Sequence, residues 1–180
     1  MTTTMISGLP LTITQPGTYV LSGDLTTDGH GISVQADNVV IDLNGYTISG
    51  PTDSNTETFG VSAFDQTNVT VKNGSIDGFM YGIYLSDIVA NKSSTADMTS
   101  TGHVVENLTI SNATFRGARV EGNDNVIQNN VIENIGGTTV YEHAYAFGIE
   151  VFGASEVLDN EIIEVRGRGA TDIGEGVGIS

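Results

Sequence analysis

The stretch that decides the fold is Gly148–Ile163, GIEVFGASEVLDNEII, because it repeats Gly117–Ile132, GARVEGNDNVIQNNVI. At an offset of 31 residues, the two copies share glycine, valine, asparagine and isoleucine at matching positions. Self-similarity at such a period is typical of proteins that stack one structural unit on the next. The matched pairs are Gly117 with Gly148, Val120 with Val151, Gly122 with Gly153, Val126 with Val157, Asn129 with Asn160, and Ile132 with Ile163.

The same frame recurs upstream, and each copy begins with a glycine that is followed by alternating apolar residues. Ile32 and Val34 show this alternation after Gly31, and a period of two predicts a half-buried strand. Short apolar runs supply a second strand in each copy. The third strand is marked by Ile48, Ile76, Phe115, Ile132 and Ile163. The starting glycines are Gly31, Gly60, Gly82, Gly117, Gly148 and Gly178. The sequence therefore predicts an all-β solenoid, a parallel β-helix of about five coils.

An asparagine recurs at one predicted corner of the coils, three residues before the third-strand position. Asparagine tolerates a left-handed backbone and suits tight turns, and stacked amides can bond one another along the axis. We interpret these asparagines as structural rather than catalytic. They are Asn73, Asn112, Asn129 and Asn160.

With these features the sequence resembles the right-handed parallel β-helix proteins of the pectin-lyase-like superfamily. The segment Asn38–Gly50, NVVIDLNGYTISG, is similar to their first coils, and the resemblance covers about residues 12–180. It implies a right-handed parallel β-helix, whereas the activities of the superfamily include lyases, epimerases, hydrolases, tailspikes and non-enzymes. The chain departs from the C5-epimerase pattern, since Glu142-His143 lacks the proline of an Asp-Pro-His motif.

The domain organisation follows the repeats. Residues 1–30 are predicted as a lead-in and an N-terminal β cap, with strands on both sides of a turn at Gln15-Pro16-Gly17. Residues 31–180 are predicted as the coils of one structural domain. The last residues, Gly178-Ile179-Ser180, begin a new copy without a capping element, so we expect a longer protein, further domains or self-association at that end.

Composition limits the classes of partner. The chain has 22 acidic and 6 basic residues and a net charge of −16, which argues against nucleic acid and anionic membranes as partners. Its acidity also fits a Ca²⁺-binding protein or one that stays soluble in salt. No apolar run reaches membrane-spanning length, and the N-terminus lacks the features of a secretory signal. The predicted location is nevertheless extracellular or at the cell surface.

Long loops are predicted at residues 51–59, 136–147 and 166–177, and equivalent corners of a solenoid stack at one edge. The short coils between them predict a cleft about 10 Å wide, at ~4.8 Å per strand. The excursion Asp87–His103 enters at another corner and is expected to lie elsewhere.

Outward positions of the first strand in each coil form columns on one face. One column contains Ser33, Ser62, Tyr84, Arg119 and Glu150, and the next contains Phe64, Ser86, Glu121 and Phe152. Aromatic rings such as Phe64, Tyr84 and Phe152 suit the flat faces of sugars, unless the neighbouring loops simply cover them.

A basic cluster in the last third of the chain suggests an acidic ligand. Arginine binds carboxylates bidentately, and proton removal beside a uronate needs a base and charge neutralisation. We therefore predict binding of an acidic polysaccharide, with lyase or C5-epimerase chemistry as the enzymatic version. The predicted catalytic residues are His143, Tyr141, Arg119 and Arg166, and the predicted substrate contacts are Phe64, Tyr84, Phe152, Glu150, Arg116, Arg168 and Tyr145.

Other interpretations stay open at this point. The chain could instead be a non-catalytic structural or adhesive module of a larger extracellular or virion protein. In that case Arg119 would form a surface salt bridge with Glu150 of the next coil, and His143 would be a solvated loop residue. A Ca²⁺-stabilised scaffold fits the charge equally well, but the acidic residues Asp37, Asp42 and Asp65 are scattered and predict no definite metal ligands.

Overall fold

The computed structural model describes residues 3–53, 55–87, 98–142, 144–167 and 174–180. In these ranges the chain is all-β, with strands and turns and no helix. The strands are β1 (Thr3–Ile6), β2 (Leu11–Ile13), β3 (Gly17–Leu21), β4 (Leu25–Thr26), β5 (Ile32–Val34), β6 (Val39–Asp42), β7 (Thr47–Ser49), β8 (Phe59–Phe64), β9 (Val69–Asp77), β10 (Tyr81–Ser86), β11 (Val104–Ser111), β12 (Arg116–Glu121), β13 (Asn125–Gln128), β14 (Val131–Ile135), β15 (Ala146–Phe152), β16 (Ser155–Leu158), β17 (Glu161–Val165) and β18 (Gly176–Ile179).

The described strands form a seven-stranded and an eleven-stranded sheet. The seven-stranded sheet has the order β2-β5-β8-β10-β12-β15-β18, and the main path of the other is β1-β3-β6-β9-β11-β13-β16. Beside this path, β4 pairs with β7, β7 with β9, β11 with β14, and β14 with β17. Every pairing named here is parallel. These stacked parallel strands are compatible with a parallel β-solenoid.

The predicted frame is confirmed in the seven-stranded sheet. The register pairs Ile32 with Val61, Val61 with Ile83, Ile83 with Ala118, Ala118 with Ile149, and Ile149 with Ile179. The starting glycines mark close approach between neighbouring strands. A Cβ on Gly117 would lie 2.5 Å from the Gly148 carbonyl oxygen and 2.5 Å from Ile132 Cγ2, distances that no side chain tolerates without backbone movement.

The predicted asparagine corner divides into two separate lines of left-handed residues, and Asn160 lies in neither. The left-handed partner of Asn129 is Asp159, whereas Asn160 accepts the Asn130 side-chain amide at 2.9 Å, so the predicted equivalence of Asn129 and Asn160 was wrong. The register of β9 with β11 and β11 with β13 places Asn73, Asn107 and Asn129 in one line, and all three have positive φ. Asn112 belongs to the next line, where Asn134 donates its amide to the Asn112 Oδ1 at 2.5 Å. Placing Asn112 in the same corner as Asn73 was therefore wrong, because β11 contains a bend of its own at Asn107.

Beyond β12 and β15, the observed strand register differs by one residue from the 31-residue offset of the sequence repeat. Val126 pairs with Glu156 rather than Val157, and Ile132 pairs with Ile162 rather than Ile163. The reason is the corner between the strands: three residues separate Glu121 from Asn125, whereas two separate Phe152 from Ser155. Since side chains alternate along a strand, a slip of one residue reverses their direction, and Ile163 is exposed.

The core lies between the sheets and is formed by alternating strand residues. Ile41, Val71, Ile76 and Ile83 are completely buried. Phe115 was predicted in a third strand, but it precedes β12 and joins a separate cluster with Met80, Tyr81 and Ala144. Strands β2, β3 and β4, predicted as a cap, pair in parallel with β5, β6 and β7 and continue both sheets by one row.

Candidate functional site

The outer face of the seven-stranded sheet carries a row of large side chains that recurs with the frame. The register aligns Phe59, Tyr81, Arg116 and Phe147, one per strand. Each immediately precedes a starting glycine, as does His30. Strict alternation would put these residues on the inner face, together with the residues after the glycines. A Cβ on Gly117, however, would lie 2.5 Å from the core residue Ile132, so the glycine itself faces inward and the residue before it faces outward. The predicted columns missed this position because alternation alone does not indicate it.

Ring contacts join these side chains into a continuous aromatic strip. His30 stacks on Phe59 at 5.1 Å between centroids, Phe59 lies 5.2 Å from Tyr81, and Tyr81 stacks on Tyr84 at 4.8 Å. Phe115 contacts Tyr81 edge-on at 5.5 Å. Phe64 also contacts Tyr84 edge-on, at 5.3 Å, so two of the predicted aromatic residues are part of the strip.

Two arginines extend the aromatic strip toward β15. The guanidinium carbon of Arg116 lies 3.6 Å from the Phe115 ring centroid and 4.4 Å from that of Phe147. The guanidinium of Arg119 lies 5.3 Å from Tyr84 and 4.9 Å from Phe152. These are cation–π distances, so both groups lie against aromatic rings.

Both arginines are also paired with carboxylates, and we call Arg116, Arg119, Glu121 and Glu150 the Arg–Glu cluster. Arg116 Nε donates to Glu150 Oε2 at 2.8 Å, and Arg119 Nη1 donates to the same oxygen at 3.1 Å. Arg119 Nη2 lies 2.6 Å from Glu121 Oε1. The predicted salt bridge between Arg119 and Glu150 is therefore confirmed, although the cluster is much more buried than a surface pair.

Electrostatics in this cluster favour the charged form of Arg119. Burial alone lowers the pKa of Arg119, but the carboxylates of Glu150 and Glu121 outweigh it and raise the pKa above its ordinary value. Arg116 and Glu150 are only 7% and 6% exposed. Buried charges persist only when they are paired and hydrogen-bonded, and here two cations meet two anions.

Open grooves follow the aromatic strip. A groove of about 560 Å³ is bordered by Tyr81, Phe115, Tyr145, Phe147 and the Arg–Glu cluster residues Arg116, Arg119 and Glu150. A second groove of about 280 Å³ lies toward β2, with His30, Phe59 and Phe64 in its wall. The exposed rings of Tyr145 and Phe152 lie at the β15 end of this face.

The loops beside the strip contact each other. The Tyr141 hydroxyl donates to Glu57 Oε2 at 3.3 Å, and the Thr139 hydroxyl contacts the Asn55 amide oxygen. The described residues of 51–59 and residues 136–142 thus lie at one edge, as predicted, but the 10 Å gap predicted between them is bridged by these side chains. Burial, with Glu57 nearby, raises the pKa of Tyr141, and burial also raises the pKa of Tyr81.

The predicted site residues divide into three groups. Those on or beside the aromatic strip are Phe64, Tyr84, Arg116, Arg119, Tyr141, Tyr145, Glu150 and Phe152. Arg166 follows β17 of the other sheet, is 74% exposed and pairs with Glu164 at 3.1 Å. His143 and Arg168 lie outside the described residues.

Another buried polar group, the histidine cluster of Ser100, His103 and Asn125, lies at the corner after β10. His103 Nδ1 accepts the Val69 N–H at 3.3 Å, so the neutral ring carries its proton on Nε2, which is 2.5 Å from Ser100 Oγ. Ser100 donates onward to the Gln66 carbonyl at 3.0 Å, while the backbone N–H of His103 donates to Asn125 Oδ1 at 2.9 Å. Burial lowers the pKa of His103 to about 4. Ser100 is a donor to a carbonyl here and is not activated as a nucleophile.

Comparisons of the chain with protein-family models, with curated proteins and with solved structures found no match. In the described ranges no group of three or more histidine, cysteine or acidic side chains is placed to hold a metal ion. A search of the same residues for a helix long and apolar enough to cross a membrane found none. The geometry of the outer face of the seven-stranded sheet is therefore the basis for inferring a function.

Proposed function

We propose that this chain is a right-handed parallel β-helix of about five coils that binds a polysaccharide along the outer face of its seven-stranded sheet. The parallel register from β2 to β18 supports the fold, and its handedness and likeness to the pectin-lyase-like superfamily are part of the proposal. An extracellular or cell-surface location would suit such a ligand and stays a prediction.

The observation that carries the binding proposal is the aromatic strip. Rings from His30 to Phe115 are in contact across successive strands. Tyr81 and Phe115 are only 6% and 8% exposed, so the rings that a sugar would reach are the exposed His30 and the half-buried Phe59, Phe64 and Tyr84. Strands in a sheet are ~4.8 Å apart. That step is close to the length of one sugar unit in an extended chain, so successive sugars would meet successive strands. Aromatic side chains gain stability from stacking against flat apolar faces.

Binding without catalysis fits the chemistry of the described residues better than turnover does. A base must be unprotonated at the working pH, but the pKa values of Tyr81 and Tyr141 are raised. The arginines that would neutralise a developing charge already have carboxylate partners. Lyase or C5-epimerase activity, the acidic ligand and a requirement for Ca²⁺ stay predictions, and one set of assays addresses them all.

The test is affinity electrophoresis or calorimetry with a panel of neutral and uronic acid polysaccharides, with and without Ca²⁺. Tyr84→Ala removes a ring in the centre of the strip and is expected to weaken binding by about tenfold, the effect of one aromatic contact. Tyr46→Ala is the matched control, because Tyr46 is a partly exposed tyrosine between β6 and β7 of the other sheet.

The outcomes separate the candidate functions. Binding that Tyr84→Ala weakens and Tyr46→Ala does not would support the proposal. Release of unsaturated uronate products, followed by ultraviolet absorbance, would establish a lyase instead of a binding protein. Failure of the whole panel to bind would overturn the proposal and favour a structural or adhesive module.

A further inference from the structure

We infer that the groove selects uncharged sugar chains over carboxylated ones, and that Glu150 is the residue that sets this preference. The inference rests on the proposed polysaccharide binding and names its ligand class. Glu150 lies in β15 opposite Arg119 of β12, at the border of the larger groove. It would act by occupying the guanidinium groups that an acidic sugar would need.

One oxygen of Glu150 serves both arginines. Glu150 Oε2 lies 2.8 Å from Arg116 Nε and 3.1 Å from Arg119 Nη1. Arg116 also donates to the Tyr145 and Phe115 carbonyl oxygens. Arginine recognises a carboxylate with parallel donors of its planar fork, and here such donors on both side chains are already bonded inside the protein.

Glu121 supplies the second carboxylate that balances the charge of the two arginines. It accepts from Arg119 Nε at 2.7 Å through Oε1, while its Oε2 accepts from the Ser86 hydroxyl at 2.7 Å. The Arg–Glu cluster therefore has no net charge. A uronate entering the groove would meet two carboxylates as well as two guanidinium groups, within a chain whose net charge is −16. Like charges at a binding site disfavour the wrong ligand.

The arginines keep a role that needs no free charge. Arg116 lies between the rings of Phe115 and Phe147, and Arg119 lies near those of Tyr84 and Phe152. Arg116 is only 7% exposed, so its guanidinium supports the neighbouring rings and does not itself face the groove. The Arg119 side chain is 23% exposed, and its planar guanidinium, held by carboxylates at its edge, continues the flat surface of the strip. Such a surface suits the faces of neutral sugars.

The experiment uses one polymer in two charge states, polygalacturonate and its fully methyl-esterified form, with the wild-type chain, Glu150→Gln and Glu161→Gln. The wild type is expected to bind the ester more tightly, with an affinity that changes little with salt, since a neutral ligand is not screened. Glu150→Gln is expected to raise affinity for the acidic form by about tenfold, the size of one hydrogen bond to a charged group.

Glu161→Gln is the matched control because it removes one negative charge from an exposed position of β17, in the other sheet. It is expected to leave the ratio of the two affinities unchanged. Circular dichroism checks that each variant is folded. If Glu150→Gln does not fold, Glu121→Gln provides the second test, because Glu121 holds Arg119 from the other side.

The inference and the proposed function fail in different ways. If the wild type binds neither form of this polymer nor any polysaccharide of the panel, binding itself is overturned and the inference falls with it. If the wild type binds the acidic form more tightly, or if the folded glutamine variants leave the affinity ratio unchanged, only the inference about Glu150 is overturned.

Discussion

The Arg–Glu cluster and the histidine cluster are both buried, but they differ in charge and in what lies beside them. Arg116 and Glu150 are charged groups bordering an open groove, with aromatic rings on both sides. His103 is neutral and completely buried, and its bonds go to a hydroxyl and to the backbone of neighbouring strands. Access to a groove, rather than burial of polar groups, is what distinguishes a candidate site from a structural support.

The two clusters also differ in how much they stabilise the folded chain. A buried ion pair rarely adds net stability over apolar residues of the same shape, so stability alone does not account for the Arg–Glu cluster. A buried neutral hydrogen-bond network contributes stability when every member is satisfied, which describes His103 and Ser100. The comparison therefore predicts different responses to substitution and to pH.

The largest effect is expected from Glu150→Ala. Removing this carboxylate leaves the Arg116 guanidinium buried without its ion-pair partner, which costs about 3–5 kcal/mol in the free energy of unfolding. Urea unfolding monitored by circular dichroism measures the loss. A loss below about 1 kcal/mol, as for an exposed pair, would show that water reaches the cluster and would remove the contrast with surface arginines.

The next effect is a pH dependence that belongs to His103. Its pKa falls from 6.5 to about 4 on folding because burial disfavours the charged ring, although Asp87 and Asp37 act in the opposite direction. The folded state then binds fewer protons than the unfolded state between these values. The stabilisation is present above pH 6.5 and is lost as the pH falls toward 4, by about 3 kcal/mol in all.

The measurement compares urea unfolding of wild type and His103→Gln across this pH range, so that the titration of carboxylates cancels. The difference in unfolding free energy between the two chains should shrink as the pH falls. His30→Asn is the control, because His30 is exposed. A difference that stays constant with pH would mean that His103 is charged or hydrated in the folded chain.

A smaller effect is expected from Ser100→Ala. The substitution leaves His103 Nε2–H without its hydroxyl partner in a buried site, which costs about 1–3 kcal/mol. Sugar binding should not change, because Ser100 lies at the corner and not in the aromatic strip. Loss of binding in a folded Ser100→Ala chain would contradict the separation of the two clusters.

The smallest effect is expected from Arg166→Gln. Arg166 and Glu164 are 74% and 55% exposed, and such pairs contribute about 0–1 kcal/mol. Both unfolding and sugar binding should stay close to wild type. A substantial loss of binding would restore Arg166 to the site predicted from the sequence and would weaken the assignment of function to the strip alone.

Period-two alternation and recurring glycines were sufficient to predict the strands, the parallel frame and the outward columns. Tyr84, Arg119 and Glu150 were predicted to be neighbours on one face, and the register pairs them across β10, β12 and β15. This worked because side-chain direction in a strand is a local property, and because a repeated glycine identifies the same position in every row. The outward residues before these glycines, such as Phe59 and Tyr81, were missed, because strict alternation assigns them to the inner face and only the inward-facing glycine reverses their direction.

Other features depended on contacts between residues far apart in the chain. The corner after β15 is one residue shorter than the corner after β12, so the side chain of Ile163 points outward instead of into the core. The loop contact from Tyr141 to Glu57 bridges the predicted gap. The sequence by itself determined which residues face outward. Only the tertiary structure decided that Glu150 and Glu121 occupy the arginines, because a charge's partners depend on distances between side chains, and no repeat in the sequence encodes them.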